Sequence, residues 1–183
     1  MTDRTRLFFR EIKRIEGADG AAVIVMSDPQ CRRALSVVCD SAMTQQVMLR
    51  EKHVPESSHM LPEVLLEMIF GDGYCASDFE MMVYDVVEGK YLVTLLNKQT
   101  LQMRTIRMSD AILLSMLSDI PLYIDEILMR RQYSDYVPNS PGISIPINTI
   151  DLDRLNLELA KAIEAEDYRL ASHLHEEIQK RNK

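Results

Sequence analysis

Asp40, His59 and Asp110 are the side chains of this chain best suited to chemistry. Each stands where a helix is expected to begin: Asp40 after the apolar run RALSVVC, His59 after Ser58, and Asp110 after Ser109. Carboxylates and an imidazole that converge on one or two hard cations can activate water and neutralise a phosphate, which is what phosphodiester hydrolysis requires. The N–H groups of a helix start could also seat the phosphate. Capping places acids at the same positions with no catalytic purpose, so both readings stand. Three cations could hold a polyanion nearby: Lys98, Arg104 and Arg107 lie in the stretch from Lys90 to Met108, which contains no acid. Arg4, Arg6, Arg10, Lys13 and Arg14 crowd the first expected strand. The overall balance is acidic, with a formal net charge of −7, so the general basic footprint of a protein that grips nucleic acid by its phosphates is missing.

The elements that must position these residues follow from pattern. A strand is expected from Arg6 to Ile15 at a sheet edge, a turn at Gly17 and Gly20, a buried strand over Ala21–Met26 and a third over Arg33–Cys39, together a three-stranded antiparallel unit. Asp40 or Ser41 then caps a helix reaching about Lys52, with Ala42, Gln46 and Leu49 on one face. Ser58 opens the next helix, where Leu61, Val64, Leu65, Met68 and Ile69 give the best helical stripe in the chain; Pro62 fits its first turn, and Gly71 with Gly73 ends it. A meander follows: Phe79–Val87, a Glu88-Gly89 turn, Tyr91–Leu96, a turn over Asn97–Thr100, and Leu101–Arg107. Ser109 is expected to cap a helix that Pro121 stops, before a short buried strand over Leu122–Ile124 and a last body helix capped by Asp125. Two three-stranded antiparallel blocks with packed helices predict an α+β fold.

The block Arg107-x-Ser109-Asp110-Ala111-Ile112, running into an apolar helix and then Pro121-x-Tyr123-Ile124, resembles the signature of the bifunctional nuclease domain, a DNase/RNase family formerly of unknown function. The resemblance extends over roughly residues 6–131. Leu35-Ser36-Val37-Val38 is similar to the family's strand entering a helix, and Ser58-His59-Met60-Leu61 to its Thr-His-Asp-Leu helix start. It implies metal-dependent cleavage of DNA or RNA, with Mg²⁺ or Mn²⁺ as cofactor and His59, Asp110 and Asp40 as catalytic residues. Three positions depart from the family pattern: Asp40 replaces a glycine, Met43 a glutamate and Met60 an aspartate. Two carboxylates are thereby lost, which implies a weakened or inactive member.

From Gln132 to Ile150 three prolines, Pro138, Pro141 and Pro146, read as a stiff linker. Residues 151–183 read as a helical hairpin, with Leu152, Leu155, Leu159 and Ile163 on one stripe and Leu170, Ala171, Leu174 and Ile178 on the other, turning at Glu166-Asp167. Two such short helices are marginal alone, so a partner surface is expected. Leu159, Ala162, Ile163, Glu166, Asp167, Tyr168, Ala171, Leu174 and Ile178 resemble the UVR motif of the UvrB and UvrC repair proteins and of some protease adaptors. That resemblance implies self-association or protein binding through Leu159, Ile163, Tyr168, Leu174 and Ile178.

The expected organisation is therefore a nuclease-like domain over 1–131, a linker over 132–150 and a UVR-like hairpin over 151–183. The alternative function is a non-catalytic interaction or scaffold module serving repair or proteolysis partners, with the chain a homo-oligomer. No apolar run approaches the length of a membrane span, the N-terminus lacks a signal-like apolar region, and three cysteines in no metal-binding spacing give no disulfide framework, so a cytoplasmic setting is expected.

Overall fold

The computed structural model describes residues 3–15, 20–138 and 145–181. It is an α+β structure: one eight-stranded sheet in the order β6-β5-β4-β7-β1-β2-β3-β8, helices packed on it, and a C-terminal helix pair. β1 (Arg4–Arg14), β2 (Ala22–Ser27) and β3 (Arg33–Cys39) pair antiparallel, as do β4 (Phe79–Val87), β5 (Lys90–Asn97) and β6 (Gln102–Arg107). The strand β7 (Leu122–Asp125) stitches the two blocks, pairing antiparallel with β1 and parallel with β4. Its alternation explains the placement. Leu122 and Ile124 are fully buried, each worth roughly 1.5–3 kcal/mol of transfer, while Tyr123 faces outward beneath the Arg4 guanidinium, 4.0 Å from its ring centroid.

Consequently β1 is not the edge strand its loose alternation suggests. Its charged side chains are engaged instead: Arg4 with Glu80 at 2.9 Å, Lys13 with Glu11 at 3.2 Å, and Arg10 with the Ser27 hydroxyl at 2.6 Å. A register shift between Phe9 and Glu11 resets which residues face inward. β8 (Ser134–Asp135) pairs with the outer side of β3 and takes the other edge, so the expected linker is partly sheet. Gly20 adopts the positive φ of a turn; Gly17 and Pro141 lie outside the described residues.

Helix α1 (Ser41–Glu51) starts at Asp40, whose carboxylate accepts the Met43 N–H at 2.7 Å. Its inward face is Met43, Thr44, Val47 and Arg50, not Ala42, Gln46 and Leu49. Pattern reading fails here because a buried arginine belongs to that face. The Arg50 guanidinium reaches Glu63 at 2.8 Å and the Gln46 side chain at 2.7 Å, and a paired arginine can stay inside. A 3₁₀ turn over Pro55–His59 precedes α2 (Leu61–Gly71), so Ser58 does not open that helix; Met60 holds its N-cap position. Of α2 only Leu66 is buried.

α3 (Met108–Leu117) has Arg107 at its N-cap position, two residues earlier than the expected Ser109 cap. α4 (Glu126–Gln132) is capped as expected by Asp125, which accepts the Ile127 and Leu128 N–H groups. Below it, Arg33 bridges Glu126 at 2.8 Å and Asp28 at 3.2 Å, tying α4 to β3 across β1. Among the described residues no helix is long and apolar enough to cross a membrane.

The tail forms its own small core. α5 (Leu152–Glu164) and α6 (Tyr168–Arg181) bury Leu155, Ala162, Ala171, Leu174 and Ile178 against each other, with Ile147, Ile150 and Leu159 packed beside them. Asp151 caps α5 by accepting the Arg154 N–H, and Glu166 turns the chain with φ 57°. This core meets the body at the β4–β5 turn. Gly89 has φ 81°, and a side chain there would come within 2.9 Å of the Ile150 carbonyl oxygen, which itself accepts from Arg181 at 2.6 Å. Glycine is what lets the β4–β5 turn and the tail approach so closely.

Candidate functional site

β3 and β6 stand at nearly opposite ends of the strand order, yet both border one cleft, so the sheet curls until the end of β3 faces the start of α3. The cleft holds about 490 Å³ and is lined by Val37 and Asp40 on one side, Tyr91, Ile106 and Arg107 on the other, and Thr149 of the tail. That size lies in the range of small-molecule and nucleotide sites. The starts of α1 and α3 both open on it, because Asp40 and Arg107 occupy their N-cap positions.

Arg107 organises the charge. Its Nε donates to Asp110 Oδ2 at 2.7 Å and its Nη2 to Oδ1 at 2.9 Å, a two-pronged contact across one helical turn. Hydrogen bonding to Asp110, then the charge of Asp110 and more weakly that of Asp40, hold the guanidinium above its usual range. Of the three predicted catalytic residues, Asp110 pairs with Arg107 and Asp40 lines the same cleft as Arg107. His59 does not join them. It sits exposed in the 3₁₀ turn beyond the far end of α1, its Nδ1 3.1 Å from the Ser58 hydroxyl; an 11-residue helix separates that end from Asp40 by roughly 16 Å.

Both oxygens of Asp110 are taken by Arg107, one oxygen of Asp40 is taken by the Met43 N–H, and among the described residues no three of His, Cys, Asp and Glu gather into a cation site. As arranged, these residues do not fit a Mg²⁺ or Mn²⁺ cage.

The three predicted phosphate-binding cations are also separated. Arg104 and Arg107 stand three apart on β6, hence on opposite faces of the strand. Arg104 folds back on the Met103 carbonyl at 2.9 Å. Lys98 belongs to the β5–β6 turn, where its N–H donates to the Asp78 carbonyl at 2.7 Å. Only Arg107 reaches the cleft. Lys90, Tyr91 and Thr149 line it without having been singled out in the sequence. Lys90 opens the acid-free stretch, which is a signal of sorts. Tyr91 gives none: its hydroxyl is buried with no partner among the described residues, and that burial pushes its acidity well below that of a free phenol.

In the tail, Leu174 and Ile178 are buried inside the helix pair and Leu159 is half-buried, whereas Ile163 and Tyr168 are 55% and 69% exposed. A partner arriving at the hairpin as it stands would meet the last two. No family model matches this chain, and no curated protein matches it either.

Proposed function

We propose that this chain is a phosphodiester-binding protein of the bifunctional nuclease type, slow in hydrolysis, whose UVR-type hairpin recruits a protein partner. The observation that carries the reading is Arg107, paired with Asp110 and lining a nucleotide-sized cleft together with Asp40. The Arg107–Asp110 pair is 69% and 37% exposed, and exposed pairs are worth only about 0–1 kcal/mol. A phosphate group, which takes the same two-pronged contact, can displace the carboxylate. Asp110, once released, lies next to the bound phosphate and can accept the proton of an attacking water. The phosphorus–oxygen bond then breaks and the leaving oxygen takes a proton from solvent. A carboxylate is a weak general base at neutral pH, and no step passes through a metal, so slow turnover is expected.

Cleavage of labelled single-stranded and duplex DNA and RNA, with Mg²⁺, Mn²⁺ or a chelator, tests this. Activity should fall at least tenfold in Asp110→Ala and in Arg107→Gln. No cleavage above the Asp110→Ala control under any of these conditions removes the catalytic part.

A second reading, a non-catalytic interaction module, is favoured by a different observation: both acids at the cleft are already engaged, while Ile163 and Tyr168 stand exposed on the tail. Binding of a repair or proteolysis partner should then be lost in an Ile163→Glu, Tyr168→Ser double variant and kept in Asp110→Ala. The three cysteines Cys31, Cys39 and Cys75 are unpaired, which supports a reducing, cytoplasmic setting.

A further inference from the structure

Thr149 belongs to two parts of the molecule at once. Its 3₁₀ turn, Ile147–Thr149, packs on the tail core through Ile147 and the following Ile150, and the Ile150 carbonyl accepts from the Arg181 guanidinium of α6 at 2.6 Å. Residues 147–150 are therefore built into the helix pair and travel with it. Yet Thr149 lines the body's cleft together with Arg107, and it is only 6% exposed. Its hydroxyl donates to the Pro146 carbonyl at 2.7 Å, so its donor is spent inside its own turn and what it brings to the cleft is mainly bulk.

The contact that seats this turn is a light one. At the β4–β5 turn the groups brought together are the Gly89 backbone, the Ile150 carbonyl and the Arg181 guanidinium, whose Nη1 lies 3.2 Å from where a Gly89 side chain would begin. All three are polar, while the apolar residues of body and tail are gathered into separate cores. Parts of a chain that meet through such contacts are expected to move relative to each other.

We propose that residues 147–150 are a gate on the cleft: with the helix pair docked, Thr149 narrows the approach to Arg107, and undocking of the pair withdraws it. Coupling of this kind is reciprocal. Whatever releases the tail opens the cleft, and whatever fills the opened cleft favours release. That the filling ligand is a phosphodiester rests on the function proposed above; the gate itself does not.

Two variants release the tail by different routes, Gly89→Val at the docking turn and Leu174→Ala inside the tail core, away from the cleft lining. Access is read without any ligand by the rate at which a maleimide labels Ser109→Cys, a cleft position, in the full chain carrying Cys31→Ser and Cys75→Ser. Both releasing variants should speed labelling roughly fivefold or more, while Tyr168→Ala, at an exposed tail position, leaves it unchanged. A labelled single-stranded oligonucleotide should bind more tightly to both by a similar factor, and saturating oligonucleotide should increase protease cutting between residues 145 and 151 in wild type. Unchanged labelling where amide exchange shows the tail loosened overturns the gate. So does an oligonucleotide that binds yet protects residues 145–151, because the tail would then complete the site instead of closing it. Faster labelling with no oligonucleotide binding in any variant supports the gate and removes the nucleic-acid reading. If one variant fails to fold, the other decides.

Discussion

Glu126 shows how a single side chain can make this fold sensitive to acid. Its hydrogen bond from Arg33, and then that from Thr5, hold its carboxyl at about 2, well below the usual carboxylate range. Asp28 is also lowered: burial alone would raise it, but the Arg32 and Arg33 N–H groups and the Arg33 guanidinium outweigh that. A depressed folded-state value means stability that is present above the unfolded value and lost as pH falls toward the folded one. We expect wild type to lose on the order of 2 kcal/mol between about pH 5 and pH 2 through Glu126. Glu126→Gln should flatten that part of the curve in urea melts taken across this range. At Gly89, alanine would have to adopt φ 81° and crowd the Ile150 carbonyl, so Gly89→Ala should cost about 1–3 kcal/mol and release the tail, seen as new protease cuts between residues 145 and 151. Much at this scale was readable beforehand. Asp40 and Asp125 were legible as caps because a capping acid needs only its local sequence. Arg107 as an N-cap position, and its clasp on Asp110, were not, because an arginine at a cap carries no such local signal.

At the scale of elements, reading from periodicity succeeded where one face is buried by one neighbour and failed where that premise breaks. The β4–β5–β6 meander and β3 lie where alternation and turn residues put them. α1 was rotated because Arg50 is buried through its partners. α2 ends at Gly71 as expected but starts at Leu61 rather than Ser58, and its stripe faces solvent rather than the core, since periodicity records that a face is apolar and not what covers it. The hairpin offers a sharper test of element stability. Its core is five buried side chains apart from the main one, and helices this short are marginal alone. Leu174→Ala should remove roughly 2–4 kcal/mol from that small core. Amide exchange should then become fast throughout α5 and α6 while β2 and β3 keep wild-type protection. Tyr168→Ala, at an exposed position, should leave the exchange pattern unchanged.

Across the whole molecule there are two cores: that of a curled sheet that shapes a cleft around Arg107, and that of a helix pair beside which Thr149 adds to the cleft's lining. The α+β class and the C-terminal helix pair were legible in the sequence. The joining of both blocks by β7, and the separation of His59 from Asp40 and Asp110, depend on contacts between residues remote in sequence and left no local trace. The proposal that the cleft holds phosphate is tested most directly by fluorescence anisotropy of a labelled single-stranded oligonucleotide against wild type, Arg107→Gln and Arg104→Gln over a range of salt. We expect Arg107→Gln to weaken binding roughly tenfold, about 1.4 kcal/mol, and to reduce the salt slope by about one, while Arg104→Gln changes little. Absence of binding by wild type, or an equal loss in both variants, would contradict the assignment of phosphate recognition to Arg107.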